Sequence, residues 1–575
     1  MVETVRADLL IVGMGAAAQM AALYAHDAKP DLNILIVTKA LKGKGGCSRM
    51  VQGGFNVVLS PQDSHERHLM DTLKGGQYLN DQDLAITLVE QATPTIKELE
   101  TKFGCCFDRN TDGTIHQKAF AGQAFDRTVH KGDLTGIEIM SRLTEQVIKR
   151  RIRVIEECRA VELLLDESGQ TVTGALLLDM RRGQFIVAEA AATLMATGGG
   201  PTQYRFHAPG PEKSVDGLGI LYRAGALLKD MEMVQFHPTG LIVPGSVVAG
   251  SLLEEGLRGA GAYLYNGRGE RYMLTYAPDV AERATRDVVS RSSYLEMTSG
   301  RACPEGGVHI DAAHLGADFV LKNFPGMAER CRQFHYDLAR GRVPVSPSAH
   351  FVMGGAVIDR DCRTSQERLF VAGEDAGGVH GANRLGGNGI AESCVYGRQA
   401  GKALARYLSH GQRTPQTTRR GQVEEFVELL SRPFKQATGP SPFDLRQAVQ
   451  ELNWTKVGVG RKEPDLSQAL SELDALAAEA GKIRVTGSPT YNMGYTTALD
   501  VRSMIDVSRL VAASAQAREE TRGAHFRQDF PKQRDDYGLF NTFLRRGAQG
   551  RPELEKRPVA FKHKSLAQCQ QYRKD

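Results

Sequence analysis

The chain has 575 residues, of which 41% are hydrophobic and 24% charged, with a formal net charge of +5. A prior of about 150 residues per domain predicts roughly four structural units, too many for one hydrophobic core. The ordinary composition excludes a wholly disordered chain, a coiled coil and a fibrous repeat. The small net charge and the lack of a basic tract argue against a nucleic-acid partner.

The sequence also predicts a protein without membrane spans or disulfides. No stretch of about 18 residues is apolar without charges or glycines, and Met1–Ala7 carries only Arg6 as a positive side chain, so no signal peptide is expected. The nine cysteines are scattered, and none falls in a Cys-x-x-Cys pattern. We therefore expect no zinc or iron–sulfur site within this chain, and a reducing, cytoplasmic compartment.

The N-terminal segment follows a strand–turn–helix–strand pattern. Leu9–Val12 predicts a short buried strand, an alanine-rich helix is expected from Ala16 to about His26, and Asn33–Val37 predicts the second strand. This order is typical of a βαβ unit that binds a nucleotide.

The turn within this unit carries the residues that a pyrophosphate needs. Gly13 permits the tight bend, Gly15 lets the backbone approach a phosphate, and Ala18 allows close packing of helix and strand. The alternative reading of a lone Gly-x-Gly-x-x-Ala is an ordinary tight turn. The second strand ends at Thr38 and Lys39 rather than at an acid, which disfavours a nicotinamide-binding module.

Two later segments indicate that the nucleotide-binding unit is interrupted. The strand-like runs 192–197 and 369–371 both end in glycine turns, at Gly198 and at Gly373. Helical, charged patterns follow later in the chain, at Val423–Leu430, Asp465–Glu479 and Ala498–Thr521. We therefore expect a nucleotide-binding domain over 1–240 and 345–410, an insertion over 241–344, a helical domain over 411–522, and a surface-wrapping extension over 523–575.

Five glycine-rich segments place His, Arg and Glu side chains beside a flexible backbone. The residues that could carry chemistry in them are His237, Glu254, Glu255, Arg258, Arg286, His350 and Arg384. Taken singly, each has an ordinary structural explanation. A His before Pro is commonly a loop residue, paired Glu residues on a helix form a solvated face, and adjacent Arg and Asp form a surface ion pair.

Together these segments resemble the succinate dehydrogenase/fumarate reductase flavoprotein-subunit family, which also includes L-aspartate oxidase. Further motifs that carry the resemblance are Gln52-Gly53-Gly54, Phe120–Gln123, Arg518–His525 and Asp529–Pro531. They stand in the family's order over nearly the whole chain. The late motif is closer to the dehydrogenase and reductase subunits than to aspartate oxidase.

The resemblance implies an α/β fold with a Rossmann-like FAD-binding domain. An α+β capping domain would be inserted at about 241–344, and a C-terminal helical domain and tail would follow. FAD would lie in an extended site, with the substrate between the cap and the isoalloxazine. The cofactor-binding residues implied are Gly13, Gly15, Ala18, Thr38, Lys39, Cys47, Ser48, Gln52, Gly53, Gly54, Thr197, Gly198, Asp216, Glu374, Arg384 and Asn388.

The resemblance also implies a site for a C4 dicarboxylate such as succinate or fumarate. Arg384 and His350 would hold one carboxylate and His237 the other, with Phe120 and Glu254 completing the substrate site. A guanidinium suits this task because it offers a bidentate fork and keeps its charge.

The proton step is assigned by resemblance to Arg286, in relay with Glu255 and Arg258. An arginine that acts as an acid needs neighbours that pass the proton on, and an Arg–Glu–Arg chain supplies them. Hydride would move at flavin N5, so the protein contributes orientation and charge. Electrons would pass to or from an iron–sulfur partner docked on a membrane quinone module, which would hold this chain peripherally at the inner face of the membrane.

Two positions depart from the family pattern. Cys47 stands where the dehydrogenases carry the histidine that links FAD covalently, so we expect bound but unlinked FAD, with a thioether as the alternative. The absence of the link favours reduction, or a substrate more easily oxidised than succinate. Glu254 stands where the family has a threonine that contacts the substrate, so we hypothesise a substrate other than plain succinate or fumarate.

Two other functions are compatible with these residues. One is a soluble, L-aspartate-oxidase-like enzyme that uses oxygen or fumarate as acceptor. Another is a non-catalytic FAD-containing assembly protein, which the intact Arg286, Glu255 and Arg258 disfavour.

Overall fold

A computed structural model describes residues 2–210, 212–409 and 413–572 of the chain. The strands are β1 Glu3–Val12, β2 Ile34–Val37, β3 Phe55–Asn56, β4 Gln117–Lys118, β5 Thr128–Val129, β6 Arg153–Ile155, β7 Cys158–Leu165, β8 Val172–Asp179, β9 Gln184–Met195, β10 Leu228–Lys229, β11 Val234–Leu241, β12 Tyr263–Tyr265, β13 Val308–Asp311, β14 Arg342–Val352, β15 Gly355–Ala356, β16 Leu369–Val371, β17 Gly460–Arg461, β18 Phe526–Arg527, β19 Phe540–Arg546 and β20 Pro552–Pro558. The helices are α1 Ala16–Ala28, α2 His65–Gly75, α3 Gln82–Thr101, α4 Thr135–Lys149, α5 Asp216–Arg223, α6 Glu255–Gly259, α7 Met273–Tyr276, α8 Arg286–Glu296, α9 Ala317–Asn323, α10 Pro325–Gln333, α11 Asn388–Ser409, α12 Gln422–Lys435, α13 Pro442–Lys456, α14 Glu463–Ala480, α15 Met493–Ala517 and α16 Leu566–Gln571.

The central sheet has the order β6-β2-β1-β9-β8-β7, with β16 also paired to β9. Strands β6, β2, β1, β9 and β16 are parallel neighbours, whereas β7, β8 and β9 form an antiparallel meander. Leu9–Val12 is buried on both faces, as the apolar run predicts for a parallel strand covered by helices. The expected interrupted α/β unit is therefore confirmed.

The elements of this unit differ from the sequence expectations mainly at their ends. Strand β2 begins at Ile34, because Asn33 donates its backbone N–H to the Asp8 side chain instead. Strand β9 extends back to Gln184, since its first half pairs with β8 and only its last residues pair with β16.

The inserted segment forms a second sheet with its own hydrophobic core. The order β11-β14-β13-β12 is antiparallel, and helices α6 to α10 lie in the same segment. The core includes Leu257, Leu264, Val289, Ile310 and Val343, all fully buried. The expected limits of the insertion fall inside β11 and β14, so these two strands run from the nucleotide-binding unit into the cap.

The helical segment contains more helix than the sequence patterns indicated. The three expected helices correspond to α12, α14 and α15, and α13 adds a fourth that the charged pattern of 442–456 did not reveal. Helix α15 ends at Ala517 rather than Thr521, because Arg518 has extended backbone angles and turns its side chain inward. The expected boundary between 410 and 411 lies outside the described residues and stays a prediction.

The C-terminal segment is more than the surface-wrapping extension expected from its composition. Strand β19 pairs with β20 and with β10, which gives a sheet of order β15-β10-β19-β20. The side chains of Arg518, Arg522 and Arg527 are fully buried. The charged composition of this segment wrongly indicated a surface location, because these arginines are buried together with carboxylate partners. Arg518 Nε, for example, lies 2.7 Å from Glu232 Oε1.

Within the ranges described above, no helix combines the length and the apolar character needed to cross a bilayer.

Candidate active site

A cavity of about 580 Å³ runs from the first βα turn to the cap. This volume lies in the range of roughly 300–1,000 Å³ found for ligand sites. The expected cofactor residues that line it are Gly13, Gly15, Thr38, Lys39, Cys47, Ser48, Gln52, Gly53, Gly54, Thr197, Gly198, Asp216, Glu374 and Arg384. The expected substrate and proton-transfer residues that line it are Phe120, His237, Glu254, Glu255, Arg286 and His350.

Three expected residues lie outside this cavity. Ala18 is fully buried on α1, where its small side chain permits packing. Asn388 is buried at the start of α11, and its Oδ1 accepts a hydrogen bond from Asn56 Nδ2 at 2.7 Å. Arg258 lines a smaller neighbouring cavity of about 180 Å³.

The turn after β1 fits a phosphate group. Gly13 has a φ of +110°, and a Cβ there would lie 2.2 Å from the Ala196 carbonyl oxygen, so only glycine fits. The N-terminus of α1 opens into the cavity, and Ala16 N–H donates to Ser48 Oγ at 3.1 Å. A helix N-terminus beside a glycine turn binds negative charge through its free N–H groups.

The end of the cavity near the first βα turn is called the dinucleotide end here. Carboxylates at this end are held in two different ways. Asp216 forms an ion pair with Lys39 at 2.8 Å; burial opposes its ionisation, but Lys39 and Arg159 together lower its pKa. Burial raises the pKa values of Glu374 and Asp375, which are bonded mainly by backbone N–H groups.

At the cap end, two guanidiniums converge on one amide oxygen. Gln235 Oε1 accepts hydrogen bonds from Arg286 Nη1 at 3.2 Å and from Arg384 Nη2 at 3.1 Å. The buried Nε of Arg384 has no partner among the described residues. Burial and the neighbouring Arg286 lower the pKa of Arg384 to about 9. Two such cations in a low-dielectric site favour an anionic ligand.

The two histidines lie beside these arginines. His350 Nε2 accepts from Arg384 Nη2 at 2.9 Å, and the rings of His237 and His350 are 5.5 Å apart. Burial, reinforced by the nearby arginines, lowers the pKa of both histidines well below the ordinary value. They are therefore neutral imidazoles, able to donate one N–H each to a carboxylate.

A line of charged groups leads from Arg286 towards the surface. Arg286 Nε donates to Glu255 Oε2 at 2.6 Å, and Ala121 N–H donates to Glu255 Oε1 at 3.2 Å. Burial opposes the charge on Glu255, but Arg286 and Arg258 outweigh it and lower its pKa. Arg258 Nε and Nη2 have no partners among the described residues, and the smaller cavity that Arg258 lines extends to the half-exposed Val280.

Glu254 lies at the cavity wall as an ion pair rather than as a lone carboxylate. Its Oε1 is 2.9 Å from Lys118 Nζ on β4. Lys118 was missed by sequence reasoning, because it lies far from Glu254 in the chain and only β4 brings it close. The one sequence signal that could have identified Lys118 is its position two residues before Phe120, which begins one of the motifs that carry the resemblance.

Gln235 was also missed, although a signal was present. It lies on β11 two residues before His237, the spacing that places side chains on one side of a strand. A glutamine there can hold two donors with one oxygen, which an apolar side chain cannot do.

Cys47 lies in a short turn that lines the cavity, and burial raises the pKa of its thiol to about 12. The group is therefore a neutral thiol at ordinary pH, and a thiol is a poor nucleophile compared with its thiolate.

In the described part of the chain, one group of side chains outside these cavities could hold a metal ion. The potential ligand atoms of Cys303, Glu305 and His309 lie within 4.8 Å of one another. These residues belong to the cap and do not line either cavity described above.

Comparisons with known proteins agree with this architecture. The chain matches the family model described as FAD binding domain over residues 8–390 and the one described as fumarate reductase flavoprotein C-term over 446–572. It is 36% identical to one of the subunits of the fumarate reductase (CoM/CoB) of Methanothermobacter marburgensis, over 93% of this chain and 96% of that protein. It is 31% identical to the fumarate reductase flavoprotein subunit of Haemophilus influenzae, over 97% of this chain and 95% of that protein.

Solved structures give the same result. A quinol–fumarate reductase determined with menaquinol molecules superposes with a TM-score of 0.92 at 30% identity, covering 98% of this chain and 99% of that one. Mycobacterium smegmatis Sdh1 in complex with UQ1 superposes with a TM-score of 0.87 at 33% identity, covering 97% and 95%. The chain is therefore a member of the succinate dehydrogenase/fumarate reductase flavoprotein family of FAD-dependent oxidoreductases.

Proposed function

We propose that this protein interconverts a C4 dicarboxylate of the fumarate/succinate type, and that reduction is its favoured direction. The observation that carries the proposal is that Arg286 and Arg384 meet on Gln235 while His350 accepts from Arg384, and that all three side chains line one cavity. A site with two guanidiniums and neutral imidazole donors is matched to a small dianion.

The ligand's two ends would be held by different groups. Arg384 binds one carboxylate with a charge-assisted fork, and His350 donates to the same end. His237 donates to the other carboxylate. Positive charge at the carboxylate next to the reacting carbon stabilises the negative charge that develops there, a contribution on the order of 10²–10³ in rate.

Proton transfer would run through Arg286. When bound, FAD supplies or accepts the hydride. Arg286 gives its proton to the substrate carbon, and Glu255, 2.6 Å away, stabilises the guanidinium and passes the replacement proton. Arg258 and the smaller cavity would connect Glu255 to solvent. General acid catalysis of this kind contributes on the order of 10²–10⁴ in rate.

The proposed direction rests on Cys47. A neutral thiol favours FAD that is bound without a covalent link, and unlinked flavin favours reduction in proteins that resemble this one. The two relatives described above are both named as fumarate reductase subunits.

We further propose that electrons reach the flavin from an iron–sulfur partner protein linked to a membrane quinone module, which would keep the protein at the inner face of the membrane. Support comes from the names of both relatives, each of which denotes one component of a larger enzyme. Affinity purification of the chain under native conditions should bring down a cysteine-rich protein with iron–sulfur absorption.

The experiment that tests the reaction follows fumarate-dependent oxidation of a reduced viologen dye under anaerobic conditions. The reverse assay uses succinate with an artificial electron acceptor. Faster turnover with fumarate than with succinate supports the proposal, whereas no turnover of either acid by flavin-loaded protein overturns it.

A second candidate is a relative of these enzymes with a modified substrate, favoured by Glu254 at the cavity wall. Its discriminating observation is turnover of a monoamide or an amino acid such as L-aspartate in preference to the diacid. An L-aspartate oxidase activity would appear as aspartate-dependent consumption of oxygen.

A further inference from the structure

Lys213 is a cation at the cavity that the cofactor and substrate assignments do not use. Its side chain lines the cavity and is half-buried there. Two other basic residues at the dinucleotide end have carboxylate partners: Lys39 pairs with Asp216 at 2.8 Å, and Arg159 pairs with Asp500 at 2.7 Å.

Lys213 has no such partner in the part of the chain that the structure describes. Its Nζ donates to the backbone carbonyl of Thr197, and no carboxylate oxygen lies within the 4 Å of an ion pair. The nearest carboxylates are already bonded elsewhere, since Glu374 accepts from Gly200 and Val352 N–H groups and Asp375 accepts from Thr197. Burial opposes the charge on this ammonium, but the acidic groups around it, Cys47, Glu374 and Asp375 among them, outweigh burial and raise the pKa of Lys213, so it is a cation at the cavity.

The ammonium lies next to the glycine turn that fits a phosphate. Thr197, whose carbonyl Lys213 bonds, also touches the turn, because a Cβ at Gly13 would lie 3.2 Å from Thr197 Cα. A Cβ at Gly198 would lie 2.5 Å from Lys213 Nζ. Thr197 therefore links the ammonium to the glycine turn, and the Lys213 side chain also lies beside Gly46, where a Cβ would be 3.8 Å from Lys213 Cε.

The backbone beside Lys213 is strained. Val215, two residues on, has a φ of +51°, a left-handed conformation that a β-branched residue rarely adopts. Val215 is fully buried, so its surroundings hold it in place. Lys213 and Asp216, on either side of Val215 in the chain, both line the cavity, and strain of this kind clusters at ligand sites.

We propose that Lys213 binds the pyrophosphate of FAD as a point charge and thereby helps to retain a cofactor that Cys47 does not link covalently. This rests on the FAD site and not on the identity of the substrate. A flexible lysine suits the task, because its ammonium can leave the Thr197 carbonyl and reach a phosphate oxygen.

The test compares Lys213→Met and Lys213→Arg with the wild type in cofactor binding, without turnover. Apoprotein is titrated with FAD, with ADP-ribose, which keeps the pyrophosphate without the flavin ring, and with riboflavin, which has no phosphate. A charge-assisted hydrogen bond predicts that Lys213→Met weakens FAD and ADP-ribose by about ten- to a hundredfold. Riboflavin binding should stay unchanged, and Lys213→Arg should retain most of the affinity.

A second measurement needs no apoprotein. The molar ratio of FAD to protein after purification and extensive dialysis in salt should fall for Lys213→Met and be kept by Lys213→Arg. Lys44→Met is the matched control, since Lys44 is exposed at the rim of the same cavity.

Two results overturn the proposal. One is FAD and ADP-ribose affinity within about threefold of wild type in a Lys213→Met protein that melts at the wild-type temperature. The other is an equal loss for riboflavin, which would put Lys213 against the flavin ring. Loss of fumarate turnover with unchanged cofactor binding would count against this role of Lys213 and leave the proposed reaction untouched.

Discussion

Lys118 and Glu254 form an ion pair at the wall of the cavity, with Nζ 2.9 Å from Oε1. The Glu254 side chain is 5% exposed, so solvent screens this ion pair only weakly. A lone carboxylate about 4 Å from a substrate carboxylate would repel it by roughly 4 kcal/mol at an effective dielectric near 20, or about three decades in affinity. The lysine offsets much of that repulsion, and a plain dicarboxylate is then compatible with the site.

Removing Lys118 should therefore uncover the repulsion. We expect Lys118→Met to raise the KM for fumarate by about ten- to a thousandfold, because Glu254 then faces the dianion alone. The double variant Lys118→Met/Glu254→Thr should recover most of the loss, as a double-mutant cycle measures. Lys131→Met, an exposed lysine outside the cavity, serves as the control. Additive effects of the two substitutions would contradict this account.

Gln235 should govern the positive charge that holds the substrate. Gln235→Glu places a carboxylate between Arg286 and Arg384, which neutralises the site, and we expect the KM for fumarate to rise about tenfold to a hundredfold. Gln235→Leu removes the oxygen that holds both guanidiniums, so kcat should fall as well. Steady-state kinetics on protein with full flavin absorbance measures both effects, and constants within threefold of wild type for both variants would refute the role.

Arg286 should carry the proton. We expect Arg286→Gln to lower kcat by about 10²–10⁴ while flavin content changes little. Arg291→Gln is the matched control, because Arg291 lies on the same helix but stacks on Phe526. Turnover of Arg286→Gln within tenfold of wild type would move the acid to another group.

Carboxylate binding should not follow histidine titration. The pKa values of His237 and His350 lie well below the ordinary 6.5, through burial and nearby arginines, so both rings are already neutral at pH 6. If they were cations, raising the pH through 6.5 would remove charge and raise KM. We therefore expect a flat KM for fumarate between about pH 6 and pH 8, measured at constant ionic strength; a rise across that range would show a charged histidine.

Flavin should leave the denatured protein. Because the pKa of the Cys47 thiol is raised to about 12, we expect no thioether, and acid precipitation should release the yellow absorbance into the supernatant. Cys47→Ser should then bind flavin in the same molar ratio as the wild type. A yellow pellet that Cys47→Ser makes colourless would prove covalent attachment.

Much of the fold could be predicted from local pattern. The apolar Leu9–Val12, the glycines of the following turn and the alanine-rich helix are consistent signals within one short segment. Side chains of the site such as Arg286 and His350 could be found because each stands in a glycine-rich motif.

What the sequence did not reveal depends on contacts between distant segments. Lys118 meets Glu254 only through the fold, and the partner that neutralises a charge has no local signature. The buried Arg518, Arg522 and Arg527 carry the composition of a surface, since burial of an arginine is decided by carboxylates elsewhere in the chain. Lys213 gave no signal at all, because a single lysine in a loop has no pattern.

The order in which this molecule is synthesised constrains when its site can form. Strand β19 is the partner of β10, and Asp230, just after β10, accepts hydrogen bonds from Asn541 Nδ2 at 2.8 Å and Thr542 N–H at 3.1 Å. The strand that carries Gln235 and His237 begins four residues later. The strand that supports the start of β11 is therefore synthesised long after β11 itself, and a nascent chain whose β19 has not yet emerged from the ribosome lacks this brace.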